Sequence, residues 1–336
     1  MYKSAKITAF LVLLLTGISS CHDNSSDPSS PYSDILNSPP YKNITDSIRQ
    51  AGSDDQLYFR RAVLLNENNQ PDPALADFKK AWSIKKTEPY ALGISTLLVD
   101  SKPEEAISFL EEALKALPNS TLLRLSLAHA YDARQQTDNA LAVCNDILQH
   151  NPMQVDVMKM KATLLDRKGE TAGAVAVLEK AYSLTPYDIE LDHMLALKYA
   201  DTKNSKVLAL CDSLIKADSM DVHADPYYYK GIYYSNTGDS QKALALFDEA
   251  IRTDFNFLEA YIEKASLLFD MKKYGEALKV LNLLLNIKAD YPDTYYWMAR
   301  CQQALGQQAD AKVNYLRAYG LDNTFTSAKD SADKLK

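Results

Sequence analysis

The sequence lacks the residue patterns from which enzymes build an active site. Its five histidines show no HxxxH or HExxH spacing, and GxSxG, P-loop and GxGxxG motifs are absent. Paired carboxylates such as Glu104-Glu105 and Glu111-Glu112 are typical of the first turn or polar face of a helix. A catalytic carboxylate needs a pocket that shifts its pKa, which a run of charges does not supply. We therefore predict a protein that is not an enzyme and that uses no cofactor and no metal ion.

Basic clusters and cysteine motifs are also scarce. The chain has 37 Lys and Arg against 44 Asp and Glu, and the net charge is −7. Because binding to phosphate backbones needs concentrated positive charge, we do not expect a nucleic-acid partner. Besides Cys21 there are three cysteines, Cys144, Cys211 and Cys301, widely spaced and without a CxxC pair.

The apolar run near the N-terminus is short. It covers twelve residues from Ile7 to Ile18, too few to cross a bilayer, and it follows Lys3 and Lys6 as in a secretory signal peptide. The run ends in Ile18-Ser19-Ser20-Cys21, which resembles a bacterial lipobox. That resemblance implies that the Cys21 thiol receives diacylglycerol, which carries palmitate-type acyl chains, and that the chain is then cleaved before Cys21. The open alternative is a plain signal peptide with an incidental cysteine.

The residues after Cys21 have little to bury. Residues 22–40 are rich in Ser, Pro, Asp and Asn, a composition typical of a flexible tether. We expect a lipid-anchored protein of the cell envelope, on the outer membrane facing the periplasm, with the cell surface as the open alternative. The predicted segments are the signal peptide 1–20, the tether 21–40, a partial repeat or cap 41–54, eight repeats 55–325 and a C-terminal cap or tail 326–336.

An internal repeat organises the rest of the chain. Eight similar nonapeptides follow one another at intervals of 32 to 36 residues, each with apolar residues at i, i+1, i+4, i+7 and i+8, the stripe of an amphipathic helix. They are ALADFKKAW, AISFLEEAL, ALAVCNDIL, AVAVLEKAY, VLALCDSLI, ALALFDEAI, ALKVLNLLL and AKVNYLRAY, starting at residues 74, 106, 140, 174, 207, 243, 277 and 311.

Each nonapeptide is preceded by signs of a second, closely packed helix. A small residue such as Ala62 or Gly231 recurs twelve positions earlier, as helices that cross closely require, although repeat two has Ile94 there. Glycines mark turns between the two helices, and Pro118, Pro152 and Pro186 end three of the second helices. The pattern predicts helix-turn-helix hairpins.

The segment GIYYSNTGDSQKALALFDEAI resembles a tetratricopeptide repeat (TPR), with Gly231, Tyr234, Gly238, Ala243 and Phe247 at the family's offsets. The resemblance covers residues 55 to about 325. It implies an all-α, right-handed superhelical solenoid of about eight repeats with terminal caps. It also implies that Tyr227, Tyr261, Tyr295 and Tyr234 are core residues. Cys144 and Cys211, two repeats apart in the same register, are then too distant for a disulfide.

In that family the concave face, lined by the first helices, binds ligands. The resemblance implies a partner-binding groove on the last three repeats, formed by Asp225, Tyr228, Ile232, Glu259, Ile262, Phe269, Asp270, Asp293, Tyr296 and Arg300. Aromatic anchors among carboxylates favour a protein or peptide segment, extended or helical, that is basic or apolar. The open alternative is that Tyr228, Ile262 and Phe269 only pack between helices. More polar residues in the middle repeats, including Lys159, Asp166 and His193, indicate a solvated surface there.

These features predict a lipid-anchored scaffold or adaptor that binds envelope proteins. It is similar to TPR lipoproteins that assist pilus secretin assembly or outer-membrane protein insertion. The second hypothesis is a non-catalytic accessory subunit that recruits or activates a cell-wall or glycan enzyme. Lys159 is followed by Thr163 where the carboxylate clamp of chaperone-binding TPR domains has asparagine, so we do not expect binding to chaperone C-termini.

Overall fold

A computed structural model describes residues 31–186, 188–218 and 223–335, and within these ranges all regular structure is helical. The predicted signal peptide and Cys21 lie outside the described residues. The helices are α1 (Ser33–Leu36), α2 (Lys42–Ala51), α3 (Asp55–Glu67), α4 (Pro71–Ile84), α5 (Glu88–Val99), α6 (Pro103–Ala116), α7 (Thr121–Ala133), α8 (Thr137–His150), α9 (Val155–Arg167), α10 (Thr171–Leu184), α11 (Ile189–Asp201), α12 (Lys206–Ala217), α13 (Asp225–Thr237), α14 (Ser240–Thr253), α15 (Leu258–Asp270), α16 (Tyr274–Ile287), α17 (Pro292–Ala304), α18 (Gln308–Leu321) and α19 (Thr326–Lys334).

The chain divides into two compact units. The N-terminal unit, residues 1–136, contains α1 to α7, and the C-terminal unit, residues 137–336, contains α8 to α19. In the N-terminal unit, α3 packs on α4 and α5 on α6 as antiparallel hairpins. In the C-terminal unit the same pairing joins α9 to α10, α11 to α12, α13 to α14, α15 to α16, and α17 to α18. The prediction of an all-α repeat fold is confirmed.

The nonapeptides form the second helix of every repeat. Their leading small residues are buried because the two helices of a hairpin approach closely at these points; Ala74, Ala106 and Ala277 have no exposed surface. The helices also approach closely at Gly231, where an added Cβ would lie 2.6 Å from the Phe247 ring. A side chain larger than hydrogen at residue 231 would therefore force the two helices apart.

Turn chemistry separates the helices as expected. Gly238 ends α13 with φ +91, a left-handed conformation that glycine adopts without steric cost. Pro118, Pro152 and Pro186 each lie two residues beyond the end of a second helix, where the chain can no longer continue as a helix.

The N-terminus of the described chain is packed, which differs from the expected tether over residues 31–40. This segment contains α1, and Leu36 at its end is buried. The Thr45 hydroxyl of α2 donates a hydrogen bond of 2.7 Å to the Leu36 carbonyl and accepts one of 2.9 Å from Arg61 of α3. Residues 31–40 are therefore held against the first hairpin by a buried polar contact that composition alone does not indicate.

At the other end, α19 covers the last hairpin. It packs against α18 with Ala328 and Ala332 fully buried, while its remaining residues are mostly polar. Lys312 of α18 donates a hydrogen bond of 2.8 Å to the Leu335 carbonyl. Ala328 and Ala332 thus form part of one buried cluster with Ala311, Tyr315 and Ala318 of α18.

Candidate functional site

The ten residues of the predicted groove all lie on three consecutive first helices of the C-terminal unit. Helix α13 carries Asp225, Tyr228 and Ile232, and it packs on α15, which packs in turn on α17. Helix α15 contributes Glu259, Ile262, Phe269 and Asp270, and helix α17 contributes Asp293, Tyr296 and Arg300. We call the surface formed by these three helices the α13–α15–α17 face.

Burial divides these residues into two groups. Ile232 and Ile262 are each only 9% exposed, so they pack between helices and offer little surface to a partner. For Ile262 the structure favours the packing alternative, and Ile232, which was predicted only for the groove, is buried as well. The other eight predicted residues keep partly or fully exposed side chains and remain candidates for contact.

A first aromatic group surrounds Tyr228. Its ring lies 5.0 Å from that of Phe257 and 5.7 Å from that of Tyr229 by ring centroids, and it also contacts Phe247 of α14. Burial raises the pKa of the Tyr228 hydroxyl, and the nearby carboxylates of Glu263 and Glu259 raise it further. Tyr228 is therefore a neutral hydrogen-bonding group on a rigid, largely apolar support.

A second aromatic group connects α15, α17 and the segment before α19. Tyr296 lies 4.8 Å from Phe325 and 6.1 Å from Trp297 by ring centroids, and Trp297 lies 5.7 Å from Phe269. The Arg300 guanidinium carbon is 4.4 Å from the ring centroids of both Phe269 and Trp297. The cation thus contacts both rings, whose planes meet at 68°, and these two contacts restrict its motion.

Carboxylates line the same face. Asp225 lies 3.6 Å from the Nδ1 atom of His193, and burial raises the pKa of the Asp293 carboxyl. Glu259 and Asp270 are exposed. Glu263 is more enclosed: burial raises its pKa, and the charges of Asp201 and Asp270 raise it further. The face combines half-exposed aromatic rings with negative charge.

Sequence reasoning missed Glu263 and Trp297. Both occupy position six of their repeats, which the family's list of ligand positions does not include. Tyr229 holds the same position in the repeat formed by α13 and α14. The stretch TYYWMAR, in which two tyrosines directly precede Trp297, was a sequence signal for an aromatic group at this position.

The polar middle of the C-terminal unit is occupied by ion pairs. Lys159 lies 2.7 Å from an Asp188 oxygen and 2.8 Å from a Glu190 oxygen, and Asp166 lies 2.7 Å from the Lys198 amine. Lys159 is therefore already matched by two carboxylates.

The residues assigned to the core are buried with two exceptions. Tyr261 and Tyr295 are buried and donate hydrogen bonds to the carbonyls of Phe255 and Ala289, six residues earlier. Tyr227 and Tyr234 are instead partly exposed, although Tyr227 packs against the buried cluster of Ala224, Ala250 and Ala260 and so lies at the border of the core. The Lys242 amine lies over the Tyr234 ring, 5.0 Å from its centroid.

The three cysteines of the repeats are buried thiols and form no disulfide. Burial raises the pKa of Cys211 to about 12 and that of Cys301 to about 11. Within the described part of the chain, no helix is both long enough and apolar enough to cross a membrane.

Comparison with known proteins agrees with the helical repeat fold. Two family models described as "Tetratricopeptide repeat" match this chain, the first over residues 97–164 and 237–300 and the second over residues 293–319. The crystal structure of a tetratricopeptide repeat protein from Parabacteroides merdae has a TM-score of 0.61, with 17% identity, and the match covers 72% of this chain and 96% of that one. PilW, described as a widely conserved type IV pilus biogenesis factor, has a TM-score of 0.50 with 16% identity, covering 63% of this chain and 97% of PilW.

The curated relatives are longer proteins, and the chain matches only part of each. The DnaJ homolog subfamily C member 7 homolog of Schizosaccharomyces pombe is 22% identical over 310 residues, which are 85% of this chain and 60% of the relative. Human anaphase-promoting complex subunit 7 is 24% identical over 280 residues, covering 80% of this chain and 48% of the relative. This chain thus spans between about half and three fifths of the length of these relatives.

Fold and comparisons together define the class of protein. The chain has the all-α TPR solenoid fold, with tetratricopeptide repeats in both of its units. Solenoids of this kind stack their repeats into extended concave surfaces.

Proposed function

We propose that this protein is a lipid-anchored, non-enzymatic adaptor of the bacterial cell envelope that binds segments of partner proteins on its α13–α15–α17 face. The observation that carries the proposal is the pair of aromatic groups around Tyr228 and around Phe269, Tyr296 and Trp297. Their rings are partly exposed on adjacent first helices and are held in place by neighbouring rings.

Rings held in this way are suited to binding. A partly exposed aromatic side chain that is already immobilised loses little conformational entropy when a partner covers it, so more of its apolar contact contributes to affinity. Aromatic residues and arginine are also the residue types that most often dominate binding energy at interfaces. The α13–α15–α17 face supplies both.

The charge of this face selects among partners. Asp225, Glu259, Asp270 and Asp293 are distributed over the three helices around the aromatic groups. Carboxylates at the rim of an interface favour partners with Lys or Arg and disfavour acidic ones. A partner segment that is apolar and basic therefore fits this face best.

The membrane anchor is a separate part of the proposal and rests on the sequence Ile18-Ser19-Ser20-Cys21. Two or three acyl chains on one residue would hold the protein stably at a membrane, whereas one chain would not. Labelling cells with a radioactive fatty acid should mark the wild-type protein, and Cys21→Ala should abolish both the label and sedimentation with membranes. A labelled C21A variant would contradict lipidation at this residue.

The binding surface can be tested by crosslinking in native membranes, followed by quantitative co-purification. The test variant combines Tyr228→Ala, Phe269→Ala and Tyr296→Ala. The matched control combines Leu283→Ala, Val313→Ala and Leu316→Ala, three apolar side chains on second helices that are 55%, 65% and 46% exposed. Both variants should be matched in abundance and in helical circular dichroism before comparison.

We expect a partner that is captured by the wild type and by the control but lost from the test variant. A partner retained by the test variant and lost from the control would place binding on the second helices and contradict the proposal. Retention by both would contradict it as well, because neither set of side chains would then carry binding.

A further inference from the structure

Helix α18 carries a second apolar stripe, on the side that faces solvent. Its inner side carries Ala311, Tyr315 and Ala318, which are buried against the neighbouring helices. On the opposite side, exposed apolar residues follow one another at intervals of four, three and four residues, namely Ala309, Val313, Leu316 and Gly320. The Val313 side chain is 65% exposed and that of Leu316 is 46% exposed. These intervals are those of the seam between two paired helices.

The α18 stripe does not follow from the repeat itself. In the two preceding second helices, the residues in the same register are also exposed, but three of each four are polar or charged. They are Gln241, Ala245, Asp248 and Arg252 in α14, and Gly275, Lys279, Asn282 and Asn286 in α16. A solvated surface accounts for these two helices. It does not account for α18, where no polar residue interrupts the stripe.

The stripe is symmetric about its own midpoint. Read in either direction it has the same intervals, so a second copy of α18 related by a two-fold axis presents the same pattern in the antiparallel orientation. Val313 then faces Leu316 of the second copy, and Ala309 faces Gly320 of the second copy. The small residues at both ends allow the two helices to approach closely.

Two charges beside the stripe are complementary in the same orientation. Asp310 and Arg317 are exposed and lie on one flank of the stripe, about two helical turns apart. Neither forms an ion pair within the described part of the chain, where the Arg317 guanidinium carbon lies 4.4 Å from the centroid of the Tyr295 ring. In an antiparallel pair, Asp310 of each copy lies beside Arg317 of the other. A parallel pair brings identical residues to the same level, so it offers neither of these two opposite-charge contacts.

We propose that α18 is a self-association surface, through which two copies of this chain pair with their α18 helices antiparallel. Val313 and Leu316 form the apolar centre of the interface, and Asp310 and Arg317 of the two copies pair at its flanks. A single pair of helices is small beside the interface of a permanent dimer, so the association is reversible. The first helices take no part in it, so this inference is independent of the α13–α15–α17 face.

Disulfide crosslinking of the full chain in native membranes tests the pairing. Ala309→Cys and Gly320→Cys are introduced into two differently tagged chains that are produced together and oxidised with copper phenanthroline. In the antiparallel pair these two positions face each other, whereas two copies of either position lie about 16 Å apart along the helix axis, beyond disulfide reach. We expect a crosslink between the two tagged chains and none between two copies of the same chain. Gly275→Cys with Asn286→Cys, the equivalent exposed positions of α16, is the matched control and should give no crosslink.

Charge reversal tests the register. Asp310→Arg and Arg317→Asp, each added to both tagged chains, should slow crosslinking roughly tenfold, because each places like charges side by side. The two reversals together restore opposite charges and should return the rate to within about twofold of the original. Val313→Asp with Leu316→Asp should abolish crosslinking and leave the helical circular dichroism unchanged, because both side chains are exposed in the single chain.

Several results would overturn this inference. Crosslinks between two copies of position 309, or of position 320, would indicate a parallel pair. Crosslinking of the α16 control at the same rate would indicate random collision, and failure of the double reversal to recover the rate would contradict the charge pairing. Absence of any crosslink, or a crosslink only to a different protein, would contradict self-association.

These results are distinguishable from a failure of the proposed function. The combination of Leu283→Ala, Val313→Ala and Leu316→Ala should weaken the α18 pair yet still capture the partner of the α13–α15–α17 face. The combination of Tyr228→Ala, Phe269→Ala and Tyr296→Ala should lose that partner yet still crosslink through α18.

Discussion

Replacing Asp77 by alanine should destabilise the first hairpin of the N-terminal unit. Asp77 of α4 and Arg61 of α3 form a bidentate ion pair, with N–O distances of 2.6 and 2.8 Å. Their side chains are only 4% and 0% exposed. A third guanidinium nitrogen donates to the Thr45 hydroxyl at 2.9 Å, so the network also connects α2 to the hairpin.

The magnitude follows from what the substitution leaves behind. Without Asp77 the guanidinium of Arg61 stays buried with one neutral acceptor, and removal of one member of a buried pair costs about 3–5 kcal/mol. That is a large fraction of the roughly 5–15 kcal/mol by which a typical domain is stable. Replacing both partners, as Arg61→Met with Asp77→Leu, should cost far less, because no charge is left in the core. Thr45 then loses one donor but still donates to Leu36.

Hydrogen exchange followed by mass spectrometry resolves this effect by region. Peptides from α2, α3 and α4 of Asp77→Ala should exchange faster by the factor that corresponds to about 3–5 kcal/mol of local opening free energy. Peptides from α15 to α18 provide the internal reference. A loss below about 1 kcal/mol for the single variant would refute the reasoning. So would a double variant as unstable as the single one, since the cost would then come from packing and not from the unpaired charge.

Three further predictions concern the C-terminal unit. Gly231→Ala should lower the free energy of unfolding by about 1–2 kcal/mol in urea denaturation, because its Cβ would lie 2.6 Å from the fully buried Phe247 ring. Gly320→Ala is the control and should be neutral or slightly stabilising, because no atom lies within 4 Å of the added Cβ. Equal effects of the two substitutions would contradict the clash at Gly231. Glu263→Gln should raise the Tm at pH 7. The folded protein holds the Glu263 proton more tightly than the unfolded chain, so the stability that this proton contributes is lost as pH rises through the raised pKa. The higher Tm of the variant should therefore disappear below pH 4.5, the ordinary pKa of the carboxyl. A Tm difference that does not depend on pH would contradict a raised pKa at Glu263. Burial raises the pKa of Cys211 to about 12, so this thiol should not react with iodoacetamide at pH 8 until urea unfolds the protein. Mass spectrometry of the labelled protein measures this reaction. Rapid labelling of Cys211 in the native protein would mean that α12 opens readily.

The sequence by itself determined where the helices lie and how they pair. The nonapeptide starting at Ala243 places its apolar residues at helical spacing, and it lies within α14. Gly231, twelve positions earlier, meets Phe247 of that nonapeptide across the hairpin. These features were predictable because the partners in a hairpin are close in sequence and repeat with one period, so the same local physics recurs in each copy.

The sequence was less informative about which side chains are available to a partner. Register alone placed Ile232 and Ile262 in the groove, yet both are buried by neighbouring helices. It left out Trp297 and Glu263, which the packing of α17 and α15 brings to the same face. Position within a repeat sets the direction of a side chain, but the size of its neighbours on the adjacent repeat sets how much of it stays exposed.

Only the tertiary structure decided the charged contacts. No local motif in the sequence marks Arg61 and Asp77, yet they form a buried ion pair. Arg61 also donates to Thr45, which donates in turn to the Leu36 carbonyl and so holds residues 31–40 against the first hairpin. Arg300 gained two aromatic neighbours, while Glu263 gained two neighbouring carboxylates. Charges respond to solvent exposure and to every group within several ångströms, and both depend on residues from different helices. A local pattern in the sequence determines the helices, whereas the packing of those helices against one another forms the candidate site.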